Sequence, residues 1–184
     1  MQVNPQTGRL DGGQWCASPN FDSRPAGAKP ELIVVHGISL PPDQFGGSGV
    51  VDLFTNRLNT KEHSYYQSLI GLEVSAHLFI RRDGSIIQFV DFNQRAWHAG
   101  QSNFQGRERC NDFSIGIELE GADHICYTAS QYNALAEVVK ALIKAYPSLN
   151  SQKLVGHSDI APGRKTDPGP LFSWPALQRL ITEV

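Results

Sequence analysis

The short apolar run in "ELIVVHGI", residues 31–38, constrains this chain more than any other feature. A continuous run of strand length suggests a strand buried on both faces, which requires other layers packed above and below its sheet. It leads into His36, an ionisable side chain at the carboxyl end of a buried strand, where α/β proteins tend to gather site residues. For His36 taken alone, a hydrogen-bonded, semi-buried histidine is the favoured reading.

The rest of the chain supplies the other layers. "VSAHLFIRRDGSIIQFVD" holds two alternating runs around Asp83-Gly84, a dipeptide suited to a type I′ hairpin turn. In "NDFSIGIELEG", Phe113, Ile115, Ile117 and Leu119 point one way, while Ser114, Gly116, Glu118 and Glu120 point the other. Thr128 and Gln131 form a capping box opening a helix whose stripe runs from Tyr132 through Leu135, Val139 and Leu142 to Tyr146. "VVDLFTNRL" and "HSYYQSLI" have helical spacing, and "KLVGH" reads as a short strand. Ser173 caps a final helix, "WPALQRLITEV", with Pro175 tolerated in its first turn. Residues 1–30, broken by Pro5, Pro19, Pro25 and Pro30, read as an irregular leader packed on the surface. The fold class is α/β: one domain over residues 31–184, a mixed central β-sheet flanked by helices.

Composition narrows the function classes. At 184 residues the chain can bury a core without covalent staples. A net charge of −2 with no long basic run argues against nucleic acid as a partner. No segment approaches the ~18 apolar residues of a membrane span. The first residues lack a basic region followed by an apolar stretch, so no secretory signal is expected and a cytoplasmic location is. Three widely spaced cysteines, Cys16, Cys110 and Cys126, suit a reducing compartment and read as ordinary thiols.

The chemistry concentrates in "GHSDIAPGRKTDPG", residues 156–169, a stretch too rich in turn formers for regular helix or strand. His157 closes a short apolar strand, and Asp167 follows across a loop stiffened by Pro162 and Pro168. His36, His157 and Asp167 together would make a three-ligand zinc site with a fourth position open, the arrangement of catalytic sites. Spacing alone does not establish it. Glu118 adds a carboxylate on the non-core side of its strand. A solvated face is the ordinary reading there, while partial burial would raise its pKa towards the range useful for proton transfer. Lys165, two residues before Asp167, leans over the same pocket if the segment is extended, and a cation there can stabilise an oxyanion. Arg164 between them is assigned to the surface. His77 reads as a buried structural imidazole, and His63, His98 and His124 have weaker claims. Trp97 offers a face for a sugar ring and Arg109 a fork for a carboxylate, although a half-buried Trp and a solvated Arg serve equally well.

Taken together, "VVHGISLPP", "VSAHLFIRRDGSIIQFV", "RAWHAG", "GRERCNDFSIGIELEG", "YTASQY" and "GHSDIAPGRKTDPG" resemble the AmpD-type N-acetylmuramyl-L-alanine amidases. These belong to a wider zinc amidase family with phage lysozyme-type amidases and peptidoglycan recognition proteins. The similarity runs in order from about Pro19 to the last helix. It implies one Zn2+ per chain on His36, His157 and Asp167, with Glu118 and Lys165 as the catalytic pair. It also implies that Trp97 and Arg109 line the substrate groove. The implied reaction is hydrolysis of the amide between (1,6-anhydro-)N-acetylmuramic acid and L-alanine, in cytoplasmic peptidoglycan recycling. A link to β-lactamase induction comes with the resemblance. The partner is the muropeptide substrate, with no membrane and no obligate protein partner. An amidase acting on intact cell wall, and a non-catalytic muropeptide-binding module, are the rival readings. Gly37, where relatives often carry Asn, and Ser158, where Cys is frequent, depart from the pattern.

Overall fold

The computed structural model describes residues 1–182, so the last two residues of the expected final helix lie outside the described residues. In chain order the elements are β1 (Val3–Asn4), β2 (Arg9–Leu10), β3 (Gln14–Trp15), β4 (Phe21–Ser23), β5 (Leu32–Ile38) and α1 (Gly49–Phe54). A 3-10 turn, Ser64–Leu69, precedes β6 (Leu78–Ile80), β7 (Ile86–Gln88), β8 (Gln94–Ala96), β9 (Asn103–Phe104) and β10 (Arg107–Glu108). After a second 3-10 turn, Cys110–Asp112, come β11 (Ser114–Glu120), α2 (Ala129–Ala145), β12 (Leu154–Gly156), α3 (His157–Ile160) and α4 (Trp174–Thr182).

Six strands form the central sheet in the order β12-β5-β11-β6-β7-β3. The first four run parallel, β7 is antiparallel to β6, and β3 runs parallel to β7. Parallel strands with both faces covered should be continuously apolar, and β5 is: Leu32 through Val35 are fully buried. Side-chain alternation divides its residues between two layers. Ile33 and Val35 join Ile115, Ile117 and Leu119 of β11 under α2, where Leu135, Val138, Val139 and Leu142 complete the main core. Leu32 and Val34 face the other way, against Ala99, Cys110, Phe113 and Ile160. A third cluster packs Phe54 and Tyr66 against Phe79 and Phe89.

Helix α2 is pinned at its start. Thr128 accepts from the Gln131 backbone N–H at 3.1 Å and the Gln131 side chain returns the bond, forming the expected capping box. The Gln131 amide also donates to the carbonyl of Glu120 at 2.9 Å and of Ile80 at 3.3 Å, tying the helix to two strand ends. Ser173 caps α4, accepting from Ala176 N–H at 3.3 Å.

Four expectations change. The β6–β7 turn is not type I′, which needs positive φ at both central residues. Gly84 N–H bonds the Arg81 carbonyl and Arg81 N–H the Ser85 carbonyl, giving a three-residue loop with Gly84 alone left-handed at φ 87°. Asp83 accepts from the Ser85 N–H and hydroxyl, and so braces the turn. Residues 1–30 are more ordered than their prolines suggest, because β3 pairs with the free edge of β7 and β4 pairs with β8. The segment after Gly156 contains one helical turn, α3. Glu118 does not lie on a solvated face: β11 is flanked by parallel strands on both sides and is buried throughout.

Ile117 is fully buried at the centre of the main core. Ile117→Ala should destabilise the fold by about 2–5 kcal/mol, read from urea unfolding with an unchanged m-value.

Candidate metal centre and cleft

The register of three parallel strands builds the site at their carboxyl ends. Glu118 on β11 is paired with His36 on β5, and Gly156 of β12 with Val35, so His157 leaves the sheet beside His36. Asp167 is returned to this edge by the loop after α3. Its carbonyl accepts from Ser158 N–H at 3.0 Å, filling one of the donors left free at the start of α3. Gly163 and Gly169, both with positive φ, let the loop turn back within so few residues.

Three donor atoms converge. His36 Nδ1 is 2.9 Å from His157 Nδ1 and 3.2 Å from Asp167 Oδ2, which is 3.1 Å from His157 Nδ1. Ligands about 2.0–2.1 Å from a tetrahedral zinc are roughly 3.3 Å apart, so this triangle has the size of one face of such a site. Among the described residues it is the one group of three or more His, Cys, Asp or Glu side chains arranged to hold a metal ion. Hydrogen bonding fits the same purpose. His157 Nε2 lies 3.2 Å from the carbonyl of Ala99, which can only accept, so the proton sits on Nε2 and Nδ1 presents a lone pair to the triangle.

Charge states agree with that donor set. Burial pushes His36 down to about 4, against the opposing pull of Asp167, so its imidazole is neutral at pH 7. Burial would raise Asp167, but contacts with His157 and His36 outweigh it and hold the carboxyl well below its usual range. A neutral imidazole at His36 and a carboxylate at Asp167 are the protonation states a divalent cation requires of them.

Glu118 stands next to the triangle, its Oε1 3.9 Å from His36 Nδ1. Its Oε2 is buried and has no hydrogen-bond partner. Burial first, and the neighbouring Asp167 charge second, push its carboxyl well above the ordinary range, while Lys165 pulls the other way. Glu118, Lys165, Trp97, His157 and Asp167 line one cleft of about 550 Å³, with Leu72, Tyr65 and Asp123 on its rim. The Lys165 residue is exposed, free to reach across that cleft. Arg109 is elsewhere. It is exposed, has φ 59°, pairs with Asp112 at 3.5 Å, and lines a neighbouring cavity of about 410 Å³ with Gln101, Ser102 and Arg164.

Two residues given weaker or other roles from the sequence, His98 and Arg164, stand beside the triangle. His98 is buried with its Nδ1 2.9 Å from His36 Nε2, and its Nε2 is 3.1 Å from the Ser114 hydroxyl. Gly116, read as leaving room beside Glu118, makes room for His98: a Cβ there would meet that ring at 2.3 Å. Arg164, assigned to the surface, donates Nη2 to the carbonyls of Ala99 and Gln101, both at 2.6 Å, and so braces the carbonyl that His157 uses. The only sequence signal was His98 adjoining Trp97; its neighbours come from other strands. His77 is buried, accepting from Gly116 N–H on Nδ1 and bonding the Gln94 carbonyl through Nε2.

Residues 26–170 match the family model described as N-acetylmuramoyl-L-alanine amidase. Over 178 residues the chain is 52% identical to the 1,6-anhydro-N-acetylmuramyl-L-alanine amidase AmpD of Escherichia coli (strain K12), covering 97% of each chain. A selenomethionine AmpD crystal structure superposes with a TM-score of 0.95 at 51% identity, covering 99% of this chain and all of that one. The N-acetylmuramyl-L-alanine amidase AmiD from E. coli, solved with the substrate anhydro-N-acetylmuramic acid-L-Ala-D-gamma-Glu-L-Lys, matches with a TM-score of 0.60 at 29% identity. That match covers 85% of this chain and 60% of AmiD.

Removing one corner of the triangle should abolish metal retention. Elemental analysis after dialysis is expected to find one divalent ion per wild-type chain and far less than one for Asp167→Asn. A full equivalent on the variant would remove Asp167 from the ligand set.

Proposed function

This chain belongs to the N-acetylmuramoyl-L-alanine amidase family, and we propose that it uses one zinc ion on His36, His157 and Asp167 to release stem peptides from 1,6-anhydro-N-acetylmuramic acid. The bond cleaved is the amide between the lactyl group of the sugar and L-alanine. The observation that carries the reading is the donor triangle with sides of 2.9, 3.1 and 3.2 Å beside a buried carboxylate that has one oxygen unpaired. The anhydro sugar is supported by the relatives, since the E. coli AmpD name carries it and AmiD was solved with it. A cytoplasmic recycling role is in keeping with three cysteines that are all free thiols.

Zinc, when bound, supplies Lewis acidity towards the lactyl carbonyl and lowers the pKa of a water in its open position. Glu118 takes the proton from the attacking water. The same carboxyl, now protonated, hands that proton to the departing amine of L-alanine. A raised pKa strengthens the carboxylate as a base for the first of these steps. Lys165, on the cleft wall, faces the oxygen that becomes negative as the carbonyl is attacked. Trp97 sits on the same wall, placed to pack against the sugar. Arg109 lines the neighbouring cavity, placed to pair with a carboxylate further along the peptide. A binding module with no catalysis has no use for an unpaired carboxylate beside a metal triangle.

Glu118→Gln should lower kcat by about 10²–10⁴ while a full equivalent of zinc stays bound; normal turnover by that variant would strike Glu118 from the mechanism. Substrate choice is tested with the purified protein, with and without a zinc chelator. The 1,6-anhydromuropeptide is compared with the same peptide on a reducing muramic acid, by mass spectrometry. Chelator-sensitive release of peptide from the anhydro substrate is expected. Equal cleavage of both would move the role towards the cell wall, and cleavage indifferent to the chelator would remove zinc.

A further inference from the structure

His98 lines the cleft without being one of the three converging donors, and among the described residues it is the one side chain bonded to the outer nitrogen of His36. The direction of that bond follows from its far end. The Ser114 hydroxyl has a single proton, and the carbonyl of Cys110, 2.6 Å away, can only accept it. Ser114 Oγ therefore accepts from His98, and His98 Nε2, at 3.1 Å, carries a proton. A neutral His98 then has a bare Nδ1. At 2.9 Å that nitrogen accepts from His36 Nε2–H, which leaves the lone pair of His36 Nδ1 facing His157 and Asp167.

We propose that His98 and Ser114 form a one-way hydrogen-bond relay, ending on the Cys110 carbonyl, that locks His36 in the tautomer able to bind metal. His98 is a positioning residue: it acts on the metal through His36. The relay is built into the sheet. Ser114 and Gly116 lie on the same face of β11 as Glu118, and the missing side chain of Gly116 is what admits the His98 ring. Asn111 Oδ1 accepts from the backbone N–H of His98 at 3.1 Å and of Ala99 at 2.8 Å, fixing both residues that address the two histidine ligands. His157 needs no such relay, because a carbonyl already sets its tautomer. The inference rests on the metal reading proposed above.

The test begins with wild-type protein labelled with 15N-histidine and loaded with zinc, read by long-range 1H–15N correlation. His36, His98 and His157 should each carry their proton on Nε2. A proton on Nδ1 of His98 would overturn the relay, whatever any variant does. Zinc affinity is then measured by chelator competition on variants whose folding is checked by thermal melting. Ser114→Ala and His98→Leu should weaken zinc binding by about 10–100-fold. His98→Gln, which keeps an acceptor and a donor, should recover part of the loss. Wild-type affinity in a folded His98→Leu would sink the proposal and leave the zinc site standing. Failure of the wild type to bind zinc would instead sink the metal reading on which it rests.

Discussion

Strand β11 has a parallel neighbour on each side, and the rest of the site depends on that placement. A central strand has no wet edge, and here both faces are also covered, so every residue from Ser114 to Glu120 is buried. Polar groups on such a strand must find partners inside the protein or stay uncompensated. Glu120 takes the first course, accepting from the backbone N–H of Gly46 and Arg82 at the rim of the sheet. Ser114 does likewise, bonded to His98 and Cys110. Glu118 takes the second with one oxygen, at the point where the cleft opens.

From that placement the electrostatics follow. Low dielectric surroundings penalise charge on each titratable group, but not equally once neighbours are counted. His36 stays neutral, Asp167 stays ionised because two imidazoles contact it, and Glu118 is raised first by burial and then by that same carboxylate nearby. Three groups within a few ångströms are driven to three different states. A shared cation and a proton shuttle are the uses such a separation serves.

Much of this was legible beforehand. The short apolar run of β5, the alternation of β11 and the capping box of α2 report burial and local hydrogen bonding, which are properties of neighbours in sequence. His36, His157 and Asp167 were legible as donor types held at strand ends or by a proline-stiffened loop. Less legible were features set by pairing across the chain. The β6–β7 turn followed the bonds of its strands and not its Asp-Gly dipeptide, and the proline-rich start was ordered by an open sheet edge. His98 looked unremarkable because its meaning depends on a glycine and a serine from another strand.

The amino-acid sequence by itself determined the layers of this protein, since hydrophobic periodicity dictates which faces must leave water, and it determined the chemical types available at the site. Tertiary structure decided which of six histidines meet. His36 and His157 are 121 positions apart and come within 2.9 Å only because two parallel strands share a register. Which nitrogen of each ring faces the donor triangle depends on groups further away still, a serine hydroxyl and two backbone carbonyls. Hydrogen-bond direction is a property of the assembled network, and no local pattern in the chain encodes it.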